Sequence, residues 1–502
     1  MPNPNANLVD QPSALKTAAH PPAWPFYALL AALLLTPLPF GSMFQWSWGS
    51  LAVIVGVLLL HSGIRILWRR NDASPGLNTL WIPASLYLLV VIWVAIQGSG
   101  LPPSSWDHPL WKQAADSLGL DIPGSPSLDP FVTQSEVLKL LTYAGTFWLA
   151  MEHGRIRERA WTALWIFAIA SALYAIYGIS AELTELGDTL WLHEMPHGSG
   201  ITSTFANRSM YAVYAGFGLL AILGLILNML TRRSARAQNE PLPAPGLSPE
   251  LRNKILPLAA MAIVVLTALI MTAARSAVFA SLVASFVLAI TLASRARLTP
   301  RVRRRLYATA LCGLVLWLLL FALTGAYLGS RLAGDVSRSW AGRLAGYEMT
   351  LSAIAQAPLT GFGAGNFRDV FYLHNDGTLW KTFNYPHNLY LGAAVEMGVP
   401  AATTLIIAIA MIAWSCFRGI GRRRRDHALP ALGVALTSLV GLNGLVDSPL
   451  YLPANAATFS FLLGLAYAQS WPSPDRVPSR PIEEPPYQAP TKPPEPVAAQ
   501  SE

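Results

Sequence analysis

The chain has 502 residues, 53% of them hydrophobic and only 12% charged, with a formal net charge of +8. Soluble domains carry about 25% charged residues, so this composition excludes an ordinary soluble enzyme and predicts a bundle of helices in a bilayer. The positive charge falls in short clusters between apolar runs, a topology signal and not a nucleic-acid footprint, and only two cysteines, Cys312 and Cys416, are present, which excludes a disulfide framework.

Residues 1–22 are polar and Pro-rich, with no cleavable signal pattern, and read as a cytoplasmic tail. About twelve apolar runs follow, near 24–43, 46–68, 79–97, 134–151, 160–180, 207–230, 255–273, 276–294, 306–327, 387–416, 428–446 and 456–470. Each approaches the roughly 20 residues needed to cross a hydrocarbon core. The stretch 255–294 is apolar throughout except near Arg275. As one helix it would be about 60 Å long, so it reads as two crossings that reverse at Arg275. The segment 328–386 is too long for a simple connector; it predicts a helix from Arg343 to Ala357, then a break at Pro358. The end of the chain, 471–502, is rich in Pro, Glu and Ser and reads as a disordered tail. The expected organisation is therefore an all-α integral membrane protein. It has tails at 1–22 and 471–502, a first group of spans at 23–200, and a second at 201–470 that includes the helical outer segment 328–386.

Arginine bias orients the spans. Arg65, Arg69 and Arg70; Arg155, Arg157 and Arg159; Arg232, Arg233 and Arg236; Arg295 to Arg305; and Arg418 with Arg422 to Arg425 all fall in alternate loops. That side is expected to be cytoplasmic, with both termini there. The loop 98–133 holds Asp107, Asp116, Asp121 and Asp129 against Lys112 alone, as an outer loop should.

Cations on the outer side run against this bias. They are Arg208 at the start of the sixth span, Arg275, and Arg331, Arg338 and Arg343 in the outer segment. Helix capping or snorkelling accounts for any one of them. As a set they suit a diphosphate, because guanidinium forks stay charged and bind phosphate bidentately. His387 follows Pro386, which reads as a helix start, and a histidine there is favoured as neutral imidazole, able to accept a proton. An interfacial or capping histidine is the other reading. His193, His197 and His374 lie in outer loops without metal-ligand spacing. Asp447 follows the eleventh span, where it can pair with an arginine or orient the histidine, or simply face water. Glu396 lies nine residues into the helix expected to start at His387, where it needs a hydrogen-bond partner.

Taken in order, four segments resemble the O-antigen ligase and polymerase superfamily. They are Thr204-Phe205-Ala206-Asn207-Arg208-Ser209; Ala274-Arg275-Ser276-Ala277; Arg343 leading to Pro358 through Phe367; and His387-Asn388-Leu389-Tyr390 with Glu396-Met397-Gly398. The resemblance covers about 200–470. The chain departs from it at Ala274, where the family often has serine. The resemblance implies a GT-C-like helical fold and transfer of glycan from an undecaprenyl-diphosphate carrier at the periplasmic face of a bacterial inner membrane. It implies no metal and no other cofactor. By the same resemblance Arg208, Arg275 and His387 are the functional residues; the reading of the residues themselves makes His387 the expected base, adds Arg343 to the diphosphate-binding arginines, and has Asn388, Asp447 and Glu396 support them. The expected partners are the lipid-linked donor, the bilayer, and an acceptor hydroxyl on a glycan, lipid A core or protein. A transporter or flippase of lipid-linked glycans is the alternative, although transporters usually hold their charged sites at the bilayer midplane. A non-catalytic assembly scaffold is a third.

Overall fold

The computed structural model describes residues 22–68, 77–184, 200–236, 249–295, 304, 307–308, 341–375, 377, 383–422 and 427–471. Almost all of the expected ninth span, the tails, and Arg331, Arg338, His193 and His197 lie outside these residues. Every regular element described is a helix. In chain order they are α1 (Trp24–Leu35), α2 (Gln45–Trp68), α3 (Leu77–Gln97), α4 (Pro109–Leu118), α5 (Pro130–Gly154), α6 (Arg157–Leu183), α7 (Arg208–Arg236), α8 (Pro249–Met271), α9 (Arg275–Arg295), α10 (341–356), α11 (Phe367–His374), α12 (Leu389–Met397), α13 (Val399–Arg422), α14 (Ala428–Asn443) and α15 (Pro453–Ala468).

Among the described residues seven helices are long and apolar enough to cross a bilayer, within α2, α3, α6, α7, α8, α9 and α13. The chain is a multi-pass membrane protein. Four further expected spans are helices that fall short of that standard. α1 stops at Leu35, eight residues before the expected end, because Pro37 and Pro39 cannot continue its hydrogen-bond ladder. α14 and α15 have 16 residues each. α5 has the length, at 25 residues, but not the apolarity.

Nearly every residue of α15 is buried, and α5 is the helix it packs against most. A Cβ at Gly464 would lie 2.6 Å from the Phe147 carbonyl oxygen, and one at Gly154 would lie 2.8 Å from the Leu465 side chain. Small residues of this kind let backbones approach closely in lipid, where apolar area alone does not favour helix over lipid contact. α7 is also central, packed by α6, α8, α9 and α14. Apolar residues on the outer faces, including Val53 and Leu60 on α2, Leu88 on α3 and Ile407 on α13, are exposed, as expected of surfaces facing hydrocarbon.

The two ends of the bundle differ. At one end Arg65 pairs with Glu152 at 3.1 Å. The Gln469 amide donates to the carbonyls of Gly154 and Arg155, and Arg422 lies over the Trp471 ring. At the other end Gln97 donates to the carbonyls of Thr360 and Glu396 and accepts from the Ala364 N–H. There Asn366 donates to Ser127 Oγ at 2.9 Å. The loop 98–133 and the segment 358–366 therefore share the end opposite the basic one.

The expected tenth span, read as one helix from His387 to 416, is two helices. Gly398, at φ +81, separates α12 from α13, and a Cβ on it would lie 2.2 Å from the Leu359 carbonyl oxygen. The loop between α10 and α11 occupies that space. Phe362 and Gly363 donate to the carbonyls of Val395 and Glu396, and Val399 donates to Pro358. The last carbonyls of α12 are thus satisfied by another segment, which ends the helix there. α13 alone, with 24 residues, is long enough to cross, so α12 belongs to the end opposite the basic one.

Candidate functional site

His387 sits two residues before α12, not inside its first turn as the sequence suggests. Asn388 is the cap: its Oδ1 accepts from the N–H groups of Tyr390 (3.0 Å) and Leu391 (3.1 Å). Its amide donates to the Leu445 carbonyl (3.0 Å), and Leu389 N–H reaches the Gly444 carbonyl (2.8 Å). These bonds lock the start of α12 onto the end of α14. His387 itself has φ +51, a left-handed backbone that costs a non-glycine residue about 1–3 kcal/mol. Its carbonyl accepts from the Tyr347 hydroxyl at 2.9 Å. Its ring stands edge-on between Phe383 and Tyr385, each at 5.4 Å between centroids.

The imidazole Nδ1 lies 3.3 Å from Asp447 Oδ1. The Asp447 side chain is 3% exposed, and its Oδ1 also accepts from the Ser448 N–H at 2.9 Å. Burial pushes this carboxyl upward, but the hydrogen bond and charge of His387, the Ser448 N–H and Arg343 outweigh it and hold it below the usual carboxylate range. An ionised Asp447 accepts, so Nδ1 carries a proton, and the neutral form of the ring then has its lone pair at Nε2. That is the tautomer a base requires.

The three sequence-predicted arginines all start or flank elements that meet this junction. Arg343, on α10, donates to the Val446 carbonyl at 3.1 Å, next to Asp447. Arg275 is the first residue of α9, after a turn in which Ala273 has φ +53. Its neighbour Ser276 receives a hydrogen bond from Asn443 at 3.3 Å, and Asn443 in turn accepts from Asp447 N–H through its carbonyl. Arg208 is the first residue of α7. Asn207 caps that helix by accepting from Ser209 N–H and donates through its amide to the Tyr385 hydroxyl at 3.1 Å. Sequence reasoning assigned no part to Tyr347, Asn207, Tyr385 or Asn443. Tyr347 stands one helical turn after Arg343, which is the only local hint of it.

Glu396 belongs to a different group of contacts. It is buried, and its Oε1 accepts from the Phe367 N–H at 3.3 Å. Burial, then the nearby Glu136, raise its carboxyl to about 8, against hydrogen bonds from Gly365, Tyr451 and Phe367. It ties the end of α12 to the start of α11. These two elements join a small separate core of Phe362, Phe367, Val370, Phe371 and Val395.

Residues 260–406 match the family model described as O-antigen ligase. This segment is O-antigen ligase-related. The matched segment contains Arg275, Arg343, His387 and Glu396 and is narrower than the 200–470 resemblance. Arg208 and Asp447 lie outside it; Asp447 pairs with His387 beside α12, and Arg208 follows Asn207, which bonds to Tyr385. None of the curated proteins matches the chain. The match makes it an O-antigen ligase- or polymerase-like membrane protein of a glycan-transferring kind.

Proposed function

We propose that this protein transfers or polymerises glycan from an undecaprenyl-diphosphate carrier onto an acceptor hydroxyl at the periplasmic face of a bacterial inner membrane. The observation that carries this reading is the His387–Asp447 pair, held in a strained loop on an arginine-bearing junction. His387 Nε2 takes the proton of the acceptor hydroxyl. The acceptor oxygen bonds to the anomeric carbon as the bond from that carbon to the diphosphate oxygen breaks. Undecaprenyl diphosphate leaves with the electron pair, and Arg208, Arg275 and Arg343 offset its charge electrostatically. Asp447 keeps the imidazole in the accepting tautomer and stabilises the imidazolium that forms. Asn388 fixes the loop. Glu396 supports the outer segment from a distance. The candidate acceptors are a glycan, lipid A core or a protein hydroxyl.

The test uses purified protein, a defined lipid-linked oligosaccharide and candidate acceptors, with donor binding and product measured separately. Replacing His387 with Ala should lower transfer by about 10²–10⁴-fold, the usual worth of a general base, while the donor still binds. Normal product formation by that variant would show that another group is the base.

A further inference from the structure

Away from the His387 junction, a cavity of about 790 Å³ opens between α3, the start of α13 and the outer loops. One wall is Leu86, Leu89, Val90 and Trp93, a spacing that places all four on one face of α3. The other wall is Ala401 and Thr404 of α13. Val90 and Ala401 are buried where the two helices pack together. Leu89 at 58% exposure and Leu359 at 69% form the open edge. α3 and α13 are both candidate spans, so this edge faces hydrocarbon.

The depth is informative. From Leu86 to Gln97, the outer end of α3, the helix rises roughly 16 Å. That is about half of a hydrocarbon core of roughly 30 Å. The cavity therefore reaches through the outer leaflet and stops near the middle. Trp93 and Trp106 meet edge to face at 6.1 Å near its top, and tryptophan favours that interfacial level. The Trp93 ring N–H donates to the Met397 carbonyl at 2.8 Å, which fixes the wall.

The polar rim carries Asp107, His108, Gln356 and Thr360. Among the described residues lining the cavity there is no lysine or arginine. His108 Nδ1 accepts from the Leu110 N–H at 3.3 Å, so its ring is neutral in this arrangement. A rim with one carboxylate and no cation repels phosphate and accepts hydrogen bonds from hydroxyls.

We propose that this cavity is a lateral binding site for one hydrocarbon chain of an outer-leaflet lipid whose headgroup is uncharged and rich in hydroxyls, a glycolipid. It takes its orientation from the arginine bias behind the proposed function but not its chemistry, since it shares no lining residue with the His387 junction. The dimensions fit a ligand site: pockets that bury most of a ligand usually hold roughly 300–1,000 Å³ and combine apolar walls with a few polar groups.

The experiment places the full chain in phosphatidylcholine nanodiscs containing a trace of a monoglycosyl diacylglycerol with a diazirine in one chain. A parallel sample carries phosphatidylglycerol with the same diazirine. After illumination, labelled peptides are mapped by mass spectrometry. Glycolipid label should concentrate severalfold on 86–93 and 400–404 relative to the exposed face of α2, and unlabelled glycolipid should compete it away. Phosphatidylglycerol should label these peptides no more than α2. Leu89→Trp, at an exposed position that spares the packed core, should narrow the cavity and reduce the glycolipid label. Asp107→Asn should raise phosphatidylglycerol labelling at the same peptides. Label spread evenly over α2, α3 and α13, absence of competition, or equal labelling by the two lipids would overturn the proposal.

Discussion

Replacing Asp447 with Asn isolates the contribution of its charge. Asn keeps the volume and keeps an oxygen for the Ser448 N–H, which lies 2.9 Å from Asp447 Oδ1. It removes the negative charge 3.3 Å from His387 Nδ1. The Ser448 N–H and His387 Nδ1 both address Oδ1, so an Asn oxygen in that place still accepts from both and the tautomer is kept. What is lost is the negative charge that stabilises the imidazolium. A hydrogen bond to a charged group is worth about 1–2 kcal/mol more than a neutral one, so turnover should fall by about 10-fold. Single-turnover transfer with bound donor is the measurement, with donor affinity and thermal midpoint as controls. The wild-type pair also has a pH signature. The carboxyl of Asp447 is held below its ordinary value, so its stabilising contribution is present above the ordinary carboxylate range and is lost as pH falls through the lowered value. Asp447→Asn should remove that acid-side loss. A variant with wild-type turnover at neutral pH would refute the argument and make the pair structural only.

Two further outcomes follow from the geometry. Tyr347→Phe deletes the hydroxyl that donates to the His387 carbonyl, a bond worth about 1 kcal/mol net; turnover should fall more than donor affinity, because the left-handed loop loses its restraint, and equal falls in both would point to general unfolding. Glu396→Gln replaces a carboxyl held near 8 with a neutral isostere. Because that folded value is raised, wild-type stability is greatest below the ordinary glutamate range and falls as pH rises toward and through about 8, whereas the variant should show no such fall when thermal midpoints are measured from pH 5 to 9.

Local properties of the chain determine a large part of this protein. Hydropathy over about 20 residues and the alternation of arginine clusters depend on neighbouring residues alone. The multi-pass bundle, the reversal at Arg275 and the helix after residue 341 were therefore legible without coordinates. So were the ligase-like segments, because each is a short run of adjacent residues. What required the tertiary structure were relations between distant residues. The break at Gly398 is invisible in an apolar run; it exists because the backbone at Leu359 and Thr360 fills the space where a side chain would stand. The start of α12 moves from His387 to Leu389 because Asn388 is held by Leu445, across a gap in sequence that no helical pattern records. His387 and Asp447 are 60 residues apart, and their pairing is set by how α12 docks on α14. The cavity on α3 has the same origin. Its two walls come from residues near 90 and near 401, and only packing makes them face each other.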